Sequence, residues 1–357
     1  MKPFALLALA AALAGCAPAV QHAFVPAPSF TGPRLEDSAF ISFDGARLGL
    51  THWDVPGGHP WAVIVGVHGL DDYANAFHLA APYWARHGIA TYAYDQRGFG
   101  RSPHRGLWAG DALFTQDLRT ITALVRARYP HAVIAVAGES LGGAVAIEAF
   151  ASRRPPDADR LILLAPAVWG WSSQPLAYKV ALWITAHVAR SAVLTPPSFV
   201  TDHIQASDNR AELIAMGKDP LMLWGARTDA LFGLVTTMQH AWSQIGLVRV
   251  PTIYMLGAHD EIIPRKPALQ AARRLPAGDR SAYYAHGWHL LLRDLHARLV
   301  WADVAAFIRD PDGPLPSGAP VIPGAHTMAN ELPARREAAR DDRAVGGEVS
   351  LARKGRP

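Results

Sequence analysis

The chain is 357 residues long and half hydrophobic, enough to bury a large core, and the length suits one elaborated α/β domain as well as two average ones. Its formal charge of +4 is small for this size, and its arginines are spread rather than clustered, so it carries no nucleic-acid signature. The one cysteine rules out an intramolecular disulfide.

At the amino end, Lys2 precedes an apolar segment from Phe4 to Ala14. A bilayer span needs about 20 apolar residues, so the segment fits a signal peptide instead. It ends in Leu13-Ala14-Gly15-Cys16, which resembles the lipobox of bacterial lipoproteins. That resemblance implies cleavage before Cys16, acylation of its thiol, and a chain held to a membrane by lipid. Ala17 follows the cysteine where an aspartate would direct retention, which by the same resemblance implies the outer membrane.

Residues 17–38 are Pro-rich and aperiodic and are expected to be a tether. A hairpin follows, Ala39 to Phe43 and Arg47 to Val55 around Asp44-Gly45. Trp61 to Val67 is a continuous apolar run suited to a buried strand. The pattern then alternates: helix Ala74 to His87, strand Ile89 to Tyr94, helix Asp111 to Tyr129, strand Ala132 to Ala137, helix Leu141 to Ser152, strand Leu161 to Leu164. Such interleaving implies a mostly parallel sheet covered by helices on both faces.

The rhythm breaks after Pro166, and a helical cap insertion is expected over about 169–247. Within it, Leu176 to Leu194 is apolar except for Lys179, His187 and Arg190 on one side, an amphipathic helix rather than a membrane span. The sheet resumes at Pro251 to Leu256, then come a helix near Lys266 to Arg274, a strand at Ser281 to Ala285 and a last helix from Leu290 to Ile308. Residues 310–357 lack an apolar period and are expected to be disordered, so the folded domain spans 39–309.

The chemistry centres on Gly138-Glu139-Ser140-Leu141-Gly142, a G-x-S-x-G between an apolar strand and a helix. In that context the pattern is a nucleophile elbow, with Ser140 as candidate nucleophile. A serine hydroxyl needs a base within reach and a third group to orient that base. Asp260 stands just past a strand in GAHDEIIP, with Glu261 as the alternative acid. His289 stands in HGWHL, with His286 as the alternative base. An oxyanion hole would draw on the backbone N–H of Leu141 and of Leu70, which follows His68-Gly69. His68 is read as a structural histidine pinning that loop. Neither a third ligand nor HExxH spacing supports a metal at His286 and His289, so no metal is expected.

HGLDDY, AYDQRGFGRSP, GESLGG, GAHDEIIP and GWHLLLRD occur in that order and look like the serine-hydrolase α/β-hydrolases, specifically their monoacylglycerol lipase and lysophospholipase branch. In the cap, Asp208 followed by Lys218-Asp219-Pro220-Leu221 also resembles that branch. The likeness covers about residues 39–309. It implies an α/β-hydrolase fold, no cofactor, and hydrolysis of lipid-derived esters such as monoacylglycerols or lysophospholipids through an acyl-enzyme. Two departures stand out: Leu70-Asp71-Asp72-Tyr73 replaces the end of the branch's HGxGEH, and Glu139 stands where its elbow often carries histidine. Asp95 and Arg97 match a segment read as architectural. Trp169, Trp171 and Trp183 are read as cap packing before pocket lining.

The same serine, acid and histidine would equally serve a thioesterase, peptidase, acyltransferase or cofactor-free haloperoxidase. A non-catalytic envelope lipoprotein is the reading from another class. The sequence leaves the oligomeric state unknown.

Overall fold

Runs of β-branched residues and alanine form the centre of the molecule. The computed structural model describes residues 17–195 and 204–325; the expected leader, Cys16 and the chain beyond 325 lie outside them. In chain order the strands are Arg34–Leu35 (β1), Ala39–Ile41 (β2), Arg47–Trp53 (β3), Ala62–Val67 (β4), Ile89–Tyr94 (β5), Val133–Glu139 (β6), Arg160–Leu164 (β7), Val193–Leu194 (β8), Ala226–Arg227 (β9), Thr252–Gly257 (β10) and Arg280–Tyr284 (β11). The helices are Ala81–Arg86 (α1), Asp111–Arg128 (α2), Leu141–Ala151 (α3), Leu176–Val188 (α4), Arg210–Lys218 (α5), Thr228–Gln244 (α6), Arg265–Ala272 (α7) and Ala297–Arg309 (α8).

The large sheet has the order β1-β2-β3-β5-β4-β6-β7-β10-β11, parallel from β5 to β11 and antiparallel at the β1–β3 edge. Side chains alternate across a strand, and β4 shows what that does. Val63, Val65 and Val67 enter one core with Leu118 of α2 and Val145 of α3. Ala62 and Ile64 enter the other core, with Trp84 of α1 and Phe307 of α8. This is the expected α/β-hydrolase fold, with both sheet faces covered.

The register places the site. Gly138 pairs with Val67 and Leu163, Glu139 with Leu164, Met255 with Leu164, and Gly257 with Tyr284. The carboxyl ends of β4, β6, β7, β10 and β11 therefore line up on one edge. Between β7 and β10 the cap contributes α4, α5, α6 and the small β8–β9 ribbon. Helix α4 is a single segment of 13 residues, and no helix among the described residues is long and apolar enough to cross a membrane.

Five expectations need correction. The amphipathic helix expected over Leu176 to Leu194 ends at Val188, and Val193–Leu194 instead pair with β9. The helix expected over 74–87 is a 3-10 turn, Ala74–Phe77, followed by α1. Pro82 has no N–H to give to an earlier carbonyl, so the helix restarts around it. The last helix begins at Ala297, not Leu290, because residues 288–295 are held by other bonds: Trp288 N–H donates to Asp294 Oδ2 (2.7 Å) and Leu290 N–H to Ala206 O (3.0 Å).

The tether expected over 17–38 instead lies on the domain. Gln21 donates to Trp108 O (2.8 Å) and Leu107 O (2.6 Å), Phe24 N–H donates to Asp44 Oδ2 (2.8 Å), and β1 pairs with β2. The tail is ordered through residue 325 as well. Tyr283 N–H donates to Pro320 O (2.8 Å), Ser317 N–H to Asp303 Oδ1 (2.9 Å), and Ile322 is fully buried. This segment covers the outer edge of β11, an edge that otherwise offers unpaired backbone groups. Both segments are ordered by bonds to the domain and not by a period of their own.

Candidate active site

Strand β6 delivers Glu139 into a turn too tight for ordinary backbone angles. Ser140 has φ 51° and ψ −116°, a strained conformation for a residue with a side chain. Such strain costs roughly 1–3 kcal/mol and persists only where surrounding contacts enforce it. Here Ser140 N–H donates to Leu164 O (3.0 Å), while its carbonyl accepts from Ala144 N–H (3.1 Å) and Ala167 N–H (2.9 Å). A Cβ on residue 138 would sit 2.5 Å from Gly142 O, so the first glycine of the motif is a steric requirement. Ser140 is thus fixed at the amino end of α3, where unpaired N–H groups favour negative charge.

The acid and histidine loops follow the neighbouring strands and are zipped together. Ala258 N–H donates to Tyr284 O (2.9 Å) and His259 N–H to Gly287 O (2.9 Å). Across this junction His289 Nδ1 meets Asp260 Oδ2 at 3.0 Å, with side chains 5% and 3% exposed. The other carboxylate oxygen, Oδ1, accepts from Ile262 N–H and Ile263 N–H, both at 2.9 Å. Burial pushes the His289 pKa down, but Asp260, helped by Glu139, outweighs it and leaves the imidazole above its ordinary value. The two alternative residues have other contacts. Glu261 accepts from Gln205 N–H of the cap (2.7 Å), and the exposed His286 packs against His296.

The loop after β4 lies against the elbow: a Cβ on residue 69 would be 3.2 Å from Ser140 Cβ. That puts the Leu70 backbone beside the turn that carries Leu141. His68 is fully buried and pins the loop, donating from Nδ1 to Gly69 O (2.7 Å) and accepting at Nε2 from Gln96 N–H (2.8 Å). Burial holds its pKa below the usual value, in keeping with a neutral ring. Asp71 takes φ 62° and its carbonyl accepts from Leu223 N–H of the cap (2.9 Å). Burial, helped by Asp72, pushes its carboxyl up to about 7. With Leu70, Phe99, Trp108 and Leu223, Asp71 lines a small cleft under the cap.

A buried charge cluster beside the pair escaped the sequence reading. Arg293 Nη2 lies 2.6 Å from Asp72 Oδ2 and 2.9 Å from Glu139 Oε2, with all three side chains at most 5% exposed. Burial works against the guanidinium's charge, yet Asp72 and Glu139 together raise its pKa. The one signal available is Glu139, an acid where the branch's elbow often carries histidine, with an arginine in GWHLLLRD to neutralise it. The cap also reaches this place: Tyr73 OH donates to Asp219 Oδ2 (2.6 Å), and Ser207 OH to Asp294 Oδ1 (2.6 Å).

Away from the edge, Arg97 is architectural as expected. It is fully buried and donates to both oxygens of Asp44 and of Asp117. Asp95 accepts from Ala74 N–H (2.9 Å) and Arg101 N–H (2.8 Å). In the cap, Trp171 packs on Phe232 and donates to Thr236 Oγ1 (3.0 Å), whereas Trp183 stacks on His187 and is 54% exposed.

Residues 58–296 match the Hydrolase_4 family, described as serine aminopeptidase, S33. The chain belongs to this family. Among curated relatives it is 25% identical over 281 residues to a monoacylglycerol lipase of Mycolicibacterium smegmatis, covering 76% of this chain and 96% of that one. It is 24% identical over 267 residues to a monoglyceride lipase of Rattus norvegicus, covering 71% and 84%. Among solved structures, a soluble variant of monoglyceride lipase from Saccharomyces cerevisiae superposes with a TM-score of 0.62 at 16% identity, covering 80% of this chain and 97% of that one. The serine-hydrolase family and the parallel sheet agree: the elbow and the buried histidine–carboxylate pair stand on one edge of an α/β-hydrolase.

Proposed function

We propose that the protein hydrolyses carboxylic esters of lipid origin, monoacylglycerols or lysophospholipids, through an acyl-enzyme on Ser140. The observation that carries this reading is the buried His289–Asp260 pair on the same sheet edge as the strained Ser140 elbow. Ser140 Oγ attacks the ester carbonyl while His289 Nε2 takes its proton, and the tetrahedral oxyanion is met by the N–H groups of Leu141 and Leu70. Collapse expels the alcohol, which receives the proton from His289. Water, activated by the same imidazole, then releases the fatty acid and restores the serine. Asp260 holds the ring in the tautomer with Nδ1–H and stabilises its cation.

The lipid reading is supported by the monoacylglycerol lipase relatives and by a cap whose Leu176, Val180, Trp183 and Val188 are exposed on or beside α4. The sequence through Cys16 supports acylation there, and Ala17 after it supports residence on the outer membrane, with the catalytic domain held near its substrate. Turnover of an ester panel of increasing acyl length, including monoacylglycerol and lysophospholipid, tests the whole. Ser140→Ala is expected to abolish turnover while the thermal melt stays near wild type. Retained turnover in that variant rejects the mechanism. Because the family description names an aminopeptidase, aminoacyl-amide substrates belong on the panel; faster amide than ester turnover rejects the ester assignment.

A further inference from the structure

Asp72 follows β4, Glu139 ends β6 and Arg293 follows β11, so their cluster joins the loop beside the oxyanion donors, the elbow, and the loop bearing His289. As a stability device it is poorly built. Among the described residues no side chain or backbone group bonds Arg293 Nε or Glu139 Oε1, a single nitrogen, Nη2, serves both carboxylates, and Nη1 reaches only Met216 Sδ (3.6 Å). Replacing such buried ions by apolar groups is often neutral or stabilising, so their best-attested use is to fix one arrangement against others. The arrangement fixed here is the mutual position of the catalytic loops.

We propose that Arg293 is a positioning residue for the reaction: its guanidinium clamps Asp72 and Glu139, holds the histidine loop in register with the elbow, and balances the negative charge beside His289. The inference rests on Ser140 and His289 being the reacting pair. It goes further in giving Glu139, the residue immediately before the nucleophile, a role through charge and not through contact with substrate.

The charged groups around His289 decide the sign of the effect. Asp260 lies on one side at 3.0 Å. Glu139 of the elbow favours the imidazolium, and Arg293 opposes it. Asp294, in the same loop, accepts from Trp288 N–H (2.7 Å) and Ser207 OH (2.6 Å), and Asp72 lies beyond Arg293. Loss of the Arg293 charge leaves two carboxylates uncompensated and raises the His289 pKa. Loss of the Glu139 charge lowers it.

The test is the pH dependence of kcat/KM for a soluble ester, measured on the full chain for wild type, Arg293→Lys, Arg293→Met and Glu139→Gln. Fluorophosphonate titration counts active sites in each preparation. Arg293→Met is expected to move the acid limb to higher pH and Glu139→Gln to move it to lower pH, each by about half a pH unit or more. Arg293→Lys keeps the charge without the planar fork, so its limb stays near wild type. Its kcat falls by roughly 10–100-fold with KM little changed, as expected when reacting groups are slightly misplaced.

Should Arg293→Met fail to fold, Glu139→Gln and Arg293→Lys, which preserve shape or charge, still decide the matter. Acid limbs that superimpose on wild type in Glu139→Gln, together with an unchanged kcat in Arg293→Lys, overturn the proposal. Absence of labelling in wild type overturns the Ser140 assignment instead, so the two failures are distinguishable.

Discussion

The carbonyl oxygen of Val67 lies where a Cβ on residue 142 would come within 2.0 Å of it. The first turn of α3 therefore rests directly on the backbone that leads into His68 and Leu70, and the contact sets the spacing of the two N–H donors assigned to the oxyanion. Gly142→Ala must push these elements apart. Overpacking of this kind costs about 1–3 kcal/mol of stability, and misplacing one oxyanion donor costs about 100-fold or more in kcat. Labelling by a fluorophosphonate should slow by a similar factor in protein shown by circular dichroism to be folded. Labelling at the wild-type rate would place the donors elsewhere.

Asp260→Asn keeps the shape of the acid loop but replaces the acceptor that faces His289 Nδ1. The amide can rotate to present its NH2 to the ring, which favours the wrong tautomer, and kcat is expected to fall by about 1,000–10,000-fold. The pH profile should move too. Asp260 is the chief influence holding the His289 pKa above its ordinary value against burial, so its removal lets the pKa fall. The remaining activity should show its acid limb at lower pH than wild type. An acid limb that rises or stays put would remove Asp260 from its assigned place beside the base.

Much of this arrangement is legible in the sequence, for identifiable reasons. β4 and β10 are buried along their whole length and β6 from Ile134 onward, so they read as largely apolar runs, and tight turns after them force glycine at fixed places. The contact between Asp260 and His289 follows from loops placed on the same edge by parallel strands. The Arg293 cluster was not legible, because its members lie far apart along the chain and no spacing rule links them. Residues 17–38 and 310–325 carry no signal of their order for another reason. Their order comes from bonds such as Gln21 to Leu107 O and Tyr283 N–H to Pro320 O, which leave no hydrophobic period.

Arg97 ties the β2–β3 turn to α2 through Asp44 and Asp117, at some distance along the chain from every candidate catalytic side chain. Arg97→Met would strand two buried carboxylates, and breaking a buried pair in this way costs about 3–5 kcal/mol. Urea unfolding should show that loss as a lower midpoint. The fraction that remains folded should keep its kcat, since Arg97 touches no residue assigned to the reaction. A large fall in kcat per active site, counted by titration, would contradict the architectural role.

Glu148 of α3 offers a prediction about stability and pH. It is 8% exposed, its Oε1 has no hydrogen-bond partner among the described residues, and His240 Nδ1 lies 3.8 Å from that atom while bonding Asp111 Oδ2 at 2.8 Å. Burial, with the nearby Asp111 carboxylate adding to it, pushes the Glu148 carboxyl up to about 9. In the unfolded chain it titrates near about 4.3. The folded state thus holds an extra proton between these values, and folding stability falls as pH rises across that window. The contribution is fully present below about 4.3 and lost by the time pH passes the folded-state value. Glu148→Gln cannot ionise and escapes the loss. It should match wild type near pH 4 and exceed it by at least about 1 kcal/mol at pH 8. Chemical denaturation at the two pH values measures the difference. If the gap closes or reverses at pH 8, Glu148 is ionised in the folded protein and the burial argument for this corner of the molecule fails.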